Sequence, residues 1–291
     1  MPLVKSRCRL VRFFAAAVLV SWPGVARAQV GALGAGVSSR VAGENRYENS
    51  PVFFLSALVM PKGQWAAGVN ALVGGIGLGE DIALGKLRTT GVAASGYYGV
   101  APRLTLGIYA QPYASTSFDC DPSVCGLVDE SSVEKSGAGS VGVSGVFQFW
   151  RSTTGATKLG GLTRLWLPTA GEGLGFQGTA PEVALILTHQ LERVTLNTNA
   201  SITMPTDDAD GESTVLVDGA AVLALAPTVG LSFEAGGQFS NGEHLIQLGP
   251  ALRVRLGRAF LELGGLVGVE SSLGGSASDF YQATVGLAFA R

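Results

Sequence analysis

Hydrophobic and polar residues alternate one by one over long stretches of this chain. Within 193–204, for example, Leu196 and Ile202 alternate with Asn197 and Asn199. Such alternation is typical of a strand with one apolar and one polar face. The stretches are about ten residues long, which is the length that a tilted strand needs to cross a bilayer. The pattern predicts twelve strands, at 64–74, 87–98, 103–115, 137–150, 158–168, 181–190, 193–204, 213–226, 228–239, 244–256, 258–270 and 279–290.

The connections between these strands alternate in length. Short turns are predicted at 99–102, 152–157, 191–192, 227 and 257, and longer polar loops at 75–86, 116–136, 169–180, 205–212 and 271–278. Only 240–243 is short where a long loop is expected. Bacterial outer-membrane barrels arrange periplasmic turns and extracellular loops in this way. The predicted fold class is therefore all-β, a transmembrane antiparallel up-and-down barrel of about twelve strands.

The composition agrees with a barrel and excludes other classes. Hydrophobic residues make up 47% of the 291 positions and charged residues only 14%. This composition is too apolar for a disordered chain. After the first thirty residues no apolar run is long enough for a transmembrane helix. The mature chain is acidic, which argues against a nucleic-acid partner. The alternating pattern implies that the outer face of the barrel contacts the lipid of the outer membrane.

The first residues have the features of a secretory signal peptide. Basic residues including Lys5 and Arg12 precede an apolar core, and Ala26-Arg27-Ala28 forms a cleavage site. We therefore expect residues 1–28 to be removed on export to the outer membrane. Residues 59–291 are predicted to form the barrel, and 29–58 either a plug within or below it or a periplasmic arm.

Two cysteines remain after the signal peptide. Cys120 and Cys125 enclose a short acidic loop. In an exported protein, such a pair of thiols meets an oxidising compartment in which it can form a disulfide. We expect a disulfide between them. Neighbouring acidic residues could gather Ca²⁺ loosely, but a solvated loop is the preferred interpretation, and no cofactor or metal is predicted.

Short motifs resemble a known family. The segments Val59-Met60-Pro61-Lys62-Gly63-Gln64-Trp65 and Tyr98-Gly99-Val100-Ala101-Pro102-Arg103-Leu104-Thr105-Leu106-Gly107 resemble those of bacterial outer-membrane barrels described as phenol-degradation "transporters". The resemblance implies passage of small, including aromatic, compounds. The closing segment 281–289 resembles the signal that barrel-assembly machinery recognises, although Ala290 and Arg291 follow its final aromatic residue.

Charged residues on the polar faces are the candidate lining of the lumen. A diffusion path with charge rings and a closed network of ion pairs both fit them. Aromatic residues cluster near strand ends and suggest interfacial girdles. The lumen candidates are Arg103, Arg164, Arg193, Arg253, Arg255, Glu234, Glu262 and Glu270. The girdle candidates are Trp65, Tyr97, Tyr98, Phe147, Phe149, Trp150, Phe260 and Phe289 near the turns, and Tyr113, Trp166, Phe239, Phe280 and Tyr281 near the loops; the position of Trp166 on the strand matches the polar face.

Catalytic motifs are not recognisable. The two histidines, His189 and His244, have no serine in a hydrolase-like context. We therefore predict that the protein is no enzyme but a passive channel for small solutes, hydrophobic or aromatic ones included. A non-conducting structural or surface-interaction barrel is the alternative, and a lipid-modifying enzyme is the third. Which solute passes, how the channel is gated and what oligomer forms are not predicted.

Overall fold

The computed structural model describes residues 56–78, 85–120, 132–171, 174–207, 212–272 and 281–290. All regular structure in these ranges is β-strand, and no helix among them is long and apolar enough to cross a membrane. The predicted signal peptide, most of segment 29–58, Cys125 and the centres of several loops lie outside the described residues. The strands are β1 (Trp65–Leu78), β2 (Gly85–Ala101), β3 (Leu104–Cys120), β4 (Ser132–Gly137), β5 (Val141–Arg151), β6 (Thr157–Leu167), β7 (Ala180–Gln190), β8 (Val194–Thr203), β9 (Thr214–Ala226), β10 (Val229–Ser240), β11 (Glu243–Leu256), β12 (Ala259–Ser271) and β13 (Tyr281–Ala290).

These strands form one closed antiparallel barrel. Apart from β4, each strand pairs with the strands next to it along the chain, and β13 pairs with β1 to complete the ring. β4 and β5 both pair with β3, β4 near the loops and β5 near the turns, so together they fill one position. The barrel therefore has twelve strand positions, as the alternation predicted. Closure leaves no open edge whose backbone groups would be unpaired in lipid.

Turn chemistry explains the short connections. Asn241 and Gly242 both have positive φ between β10 and β11, the conformation of a type I′ hairpin turn. The predicted short turns are confirmed at the opposite end, between β2 and β3, β5 and β6, β7 and β8, β9 and β10, and β11 and β12. Two loop predictions were wrong. Part of 75–86 extends the wall, because β1 and β2 pair as far as Leu78 and Gly85. Part of 116–136 extends the wall, because the end of β3 pairs with β4.

One stretch of the wall needs glycine. The β11–β12 ladder skips residues 249 and 250, where Pro250 has no N–H to donate. A Cβ on Gly249 would lie 1.9 Å from the Gly265 carbonyl oxygen. The backbones of β11 and β12 approach too closely there for any side chain. Glycine at position 249 therefore allows the two strands to pack together where their hydrogen-bond ladder is interrupted.

The outward face is apolar and exposed along nearly every strand. Leu185, Phe233 and Val269 are examples, each more than half exposed in the isolated chain. So continuous an apolar surface has to face lipid. Most turn-side girdle candidates also point outward, namely Trp65, Tyr98, Phe147, Phe149, Trp150 and Phe289. Tyr97 and Phe260 instead point into the barrel and are buried there, which corrects their assignment to the girdle.

Candidate functional site: the barrel lumen

The inward face of the wall is polar, and its side chains are almost completely buried. Alternate positions of β8, from Thr195 to Ser201, all point inward. An interior lined with polar groups is typical of outer-membrane barrels, where it is either water-filled or plugged. Buried inward amides and hydroxyls include Asn70, Thr89, Ser95, Gln111, Gln148, Thr188, Asn197, Asn199, Ser232 and Gln247.

One buried ion pair joins two lumen candidates. Arg253 on β11 and Glu262 on β12 are direct register partners. The Arg253 Nε and Nη2 atoms both lie 2.8 Å from Glu262 Oε1, and the two side chains are 1% and 0% exposed. Charges this deeply buried are stable only when paired and hydrogen-bonded. Arg253 and Glu262 thus lie on the inner face of the wall and are paired with each other there.

A second pair includes an aromatic donor. Arg164 on β6 lies opposite Glu182 on β7, with Arg164 Nη1 2.9 Å from Glu182 Oε2. Trp166 Nε1 donates to the same carboxylate oxygen over 3.0 Å, and the Arg164 guanidinium lies 4.9 Å from the centre of the Trp166 ring. Trp166 points inward, which agrees with its position on the polar face of the strand and corrects its assignment to the loop-side girdle. Glu182 was not predicted, although strand pairing with Arg164 would have indicated it.

Further carboxylates face the lumen from neighbouring strands. Ser232 donates a 2.6 Å hydrogen bond to Glu234 on β10, which is fully buried, as expected of a lumen residue. Asn199 donates to Asp218 on β9, another residue that sequence analysis missed. Lys158 on β6 adds a buried ammonium group, bonded to the Gln190 side chain over 2.9 Å. The lumen thus contains buried charges of both signs. No cluster of ligands able to hold a metal ion occurs within the described ranges.

Four lumen candidates lie elsewhere. Arg103 and Arg193 are exposed in short turns. They lie beyond the strand ends, so the alternation of inward and outward side chains does not reach them. Arg255 is also exposed at that end, and its Nε donates to the Gly257 carbonyl over 3.2 Å. Glu270 follows a register shift in the β11–β12 ladder, pairs with the outward-facing Ile246 and lies on the outer face. The shift, a β-bulge, reverses the alternation that the sequence predicted.

The histidines occupy the outer surface. His244 Nε2 lies 3.3 Å from the exposed Glu270 carboxylate, and His189 Nδ1 lies 2.8 Å from the Thr157 hydroxyl. Among the described residues no serine hydroxyl contacts the imidazole ring of His244. Cys120 ends β3, and the disulfide expected with Cys125 remains a prediction because Cys125 is outside the described residues.

Residues 56–60, which we call the luminal segment, precede β1 and lie inside the barrel near the short turns. Backbone groups of this segment bond to wall side chains: Ala57 N donates to Thr188 Oγ1 over 2.9 Å, and Gln148 Nε2 donates to Ala57 O over 3.1 Å. Met60 N donates to Thr105 Oγ1 over 2.8 Å. The segment thus crosses the lumen from β3 to β7 and is held by side chains, without strand pairing.

Apolar contacts supplement these hydrogen bonds. Ala57 and Val59 pack with Val146, Leu162 and Ile186 of the wall. At the other end of the segment, Met60 packs with Ala66 and Tyr97, which explains why the Tyr97 ring points inward. All five residues of the luminal segment are buried. The luminal segment therefore occupies the turn-side end of the lumen on the side of β1–β3 and β5–β7.

An aromatic layer fills the lumen nearer the loops. Trp166 meets Tyr109 edge-on at 5.3 Å between ring centroids and lies 5.9 Å from Phe176. Phe176 belongs to the connection between β6 and β7, and its backbone N–H donates to Ser140 Oγ over 3.0 Å. The loop therefore folds into the barrel. Leu72, Ala93 and Ala180 complete this aromatic layer.

Comparison with known proteins gives a structural likeness and no match in sequence. No protein-family model and no curated protein match the chain. The COG4313 outer membrane channel from Pseudomonas putida F1 superposes with a TM-score of 0.63 at 10% identity, covering 80% of this chain and 97% of that one.

Two other solved structures superpose less well. The translocator domain of the autotransporter NalP from Neisseria meningitidis has a TM-score of 0.49 at 10% identity and covers 94% of this chain and 99% of its own. The Ralstonia pickettii toluene transporter TbuX has a TM-score of 0.40 at 10% identity, with coverage of 80% and 91%. The likeness to the P. putida protein is one of fold. Together with the apolar outer face, it shows that this chain has the fold of an outer-membrane β-barrel.

Proposed function

We propose that the protein is a passive channel for small solutes and works without catalysis, with the luminal segment as a displaceable closure. The observation that carries this proposal is how that segment is attached. It is joined to the wall by hydrogen bonds from a few side chains, whereas the wall strands are held to their neighbours by backbone pairing along most of their length. The closure can therefore leave while the barrel stays intact.

The wall that the closure covers supports the same function. Withdrawing the segment would expose hydroxyl, amide and charged groups, including Thr188 and Gln148, which water can solvate. The aromatic layer of Tyr109, Trp166 and Phe176 favours small solutes with an apolar or aromatic part. The fold shared with an outer membrane channel is consistent with both points.

A non-conducting structural barrel is the second candidate. The observation in its favour is the near-complete burial of inward polar side chains, which form ion pairs such as Arg253–Glu262 in place of an open path. In that case the luminal segment would be a permanent part of the core. Conductance with the segment fixed or released separates the two candidates.

A reversible crosslink provides this test. Ser56 Oγ and Thr188 Oγ1 lie 3.4 Å apart, so Ser56→Cys/Thr188→Cys can form a disulfide after small side-chain movements. The pair is made in a Cys120→Ser/Cys125→Ser background, which serves as the baseline. In planar bilayers we expect the oxidised form to conduct less than this baseline, and reduction to restore conductance. Each single cysteine variant, treated with the same oxidant, is the control.

A loosened closure provides the converse test. Thr188→Val with Gln148→Leu removes the side chains that bond to both backbone groups of Ala57. We expect more frequent or larger openings, while Thr198→Val on the exposed outer face of the same barrel leaves conductance unchanged. An absence of conductance in the natural chain, the reduced crosslink variant and the loosened variant would exclude the channel and leave the structural barrel.

A further inference from the structure

Basic residues are concentrated at the short-turn end of the barrel. We call them the basic rim: Lys62, Arg103, Arg151, Arg193, Arg255 and Arg258, all exposed. Among the described residues, the short turns at this end contain a single acidic residue, Glu192. Of the short connections, those between β2 and β3, β5 and β6, β7 and β8, and β11 and β12 each contain or adjoin an arginine. The positive charge is thus distributed around the circumference.

The loop end has the opposite balance. Its described basic residues are Lys86, Arg88 and Lys135, and Arg88 lies 3.7 Å from Asp119. They are outnumbered by acidic side chains, namely Asp119, Glu134, Asp207, Glu212, Glu243 and Glu270. The excess of positive charge is therefore specific to one end of the barrel.

Backbone hydrogen bonds hold the basic rim in place. Arg103 O accepts from Gln148 N over 2.9 Å, and Arg193 O accepts from Ala224 N over 2.8 Å. Arg255 N donates to Thr228 O over 2.7 Å. Each of these bonds joins a turn to the neighbouring hairpin. The arginines consequently have a fixed spacing along the wall instead of lying on independent flexible tips.

Most of these charges are not neutralised by the chain. Within the described ranges, the side chains of Lys62, Arg103, Arg193 and Arg258 have no carboxylate within ion-pair distance. Arg255 bonds to a carbonyl oxygen, which leaves its charge uncompensated. The guanidinium groups of Arg103, Arg193 and Arg258 are suited to bind anions, above all phosphate, with which arginine forms two parallel hydrogen bonds.

The outward aromatic girdle lies at the same level. Trp150 directly precedes Arg151, and Phe147 pairs with Leu104, the residue after Arg103. Tryptophan and other aromatic residues at barrel ends lie at the depth of lipid headgroups. The basic rim is therefore next to the phosphates of the leaflet that faces the periplasm, where short turns of outer-membrane barrels lie.

We propose that the basic rim is a binding surface for anionic phospholipid headgroups, of the phosphatidylglycerol type, in the periplasmic leaflet. The girdle anchors the barrel in depth, and the arginines select negatively charged headgroups around it. This interaction is independent of whether the lumen conducts. An acidic periplasmic protein is the alternative occupant of the same charges, and it is favoured if the rim arginines do not determine the lipid preference.

Two variants with the same loss of charge test the proposal. Arg103→Gln/Arg193→Gln/Arg258→Gln removes positive charge from the basic rim, and Lys86→Gln/Arg88→Gln/Lys135→Gln removes the same charge from the loop end. Binding of short-chain phosphatidylglycerol and phosphatidylcholine to the purified, folded barrel is measured by native mass spectrometry. Heat-modifiable migration confirms that each variant is folded.

We expect the natural chain to bind phosphatidylglycerol more tightly than phosphatidylcholine. The rim variant should lose about tenfold or more of this preference, because each arginine in contact with a headgroup contributes a factor of roughly five in affinity. The loop-end variant should keep the preference, and added salt should reduce it. Equal binding of both lipids by the natural chain, equal losses in both variants, or displacement of the lipid by inorganic phosphate at matched concentration would overturn the proposal. An unchanged preference in the rim variant would do so too and would favour the acidic protein.

Discussion

The two faces of the barrel wall are made by the same strands but are stabilised in different ways. On β8, Leu196 is 42% exposed on the outer face, while the next residue, Asn197, is 2% exposed on the inner face. The outer side chain has no specific partner and needs only an apolar surrounding. The Asn197 amide oxygen accepts a 2.7 Å hydrogen bond from Thr188 on the adjacent strand.

This difference predicts two kinds of failure. A substitution on the outer face is harmful according to its polarity and its depth in the bilayer. A substitution on the inner face is harmful according to which partner it leaves behind. The lumen should therefore be sensitive to the loss of individual partners, and the outer face to the polarity of the new side chain and its depth in the bilayer.

The largest effect is expected from breaking a lumen ion pair. Arg253→Met leaves the buried Glu262 carboxylate without its guanidinium partner, and we expect a loss of about 3–5 kcal/mol in the free energy of unfolding. Urea titration of the refolded barrel measures this loss. Adding Glu262→Gln should recover most of it, because no unpaired charge is then left. Additive losses in the double variant would show that the two residues act independently.

The outer face should respond to depth. Leu185→Arg, at the centre of β7, is expected to cost about 2–4 kcal/mol, because the charge must enter the middle of the bilayer. Leu225→Arg, next to the end of β9, is the control, with about 0–1 kcal/mol. The two leucines are similarly exposed, at 57% and 55%. Equal losses measured in liposomes would refute the dependence on depth.

A single lumen hydrogen bond should have an intermediate effect. Trp166→Phe keeps a ring in the aromatic layer but removes the N–H that donates to Glu182. We expect a loss of about 1.5–3 kcal/mol, as for other hydrogen bonds to charged groups. A double-mutant cycle with Glu182→Gln isolates the bond. If the cycle gives no coupling energy, the loss comes from packing instead.

The smallest effect is expected outside the bilayer. The Arg88 and Asp119 side chains are 58% and 51% exposed and lie 3.7 Å apart. Arg88→Gln should change the free energy of unfolding by about 1 kcal/mol or less, since solvent screens such a pair. A loss as large as that of Arg253→Met would mean that burial does not distinguish these two ion pairs.

Alternation was sufficient to predict the wall. The predicted strand 193–204 corresponds to β8, which spans Val194–Thr203. The prediction succeeds because every second side chain contacts lipid and is therefore apolar. The same rule placed Arg164, Arg253, Glu234 and Glu262 in the lumen. It failed for Arg103 and Arg193, which lie past the strand ends, and for Glu270, where a bulge changes the alternation.

Long-range contacts were not predictable in the same way. Nothing in the pattern near residue 57 indicates that its backbone bonds to Thr188, 131 residues away. The pairing of Phe176 with Trp166 likewise depends on a loop folding inward, which alternation does not describe. Cys120 and Cys125 remain a predicted disulfide. Local periodicity reports which solvent a side chain meets, whereas the contents of a lumen depend on contacts between distant segments.

Barrel closure also determines the order in which the protein can form. Most wall pairings join neighbours in the chain, but β1 meets β13, and the bond from Asn70 Nδ2 to Thr284 Oγ1 spans 214 residues. The entropy lost in joining ends so far apart exceeds that of any single hairpin, and such contacts form slowly. Until they form, the first and last strands are both unpaired edges. The seam between β1 and β13 is therefore expected to be the last part of the barrel to form, with folding intermediates that are prone to aggregate until it does.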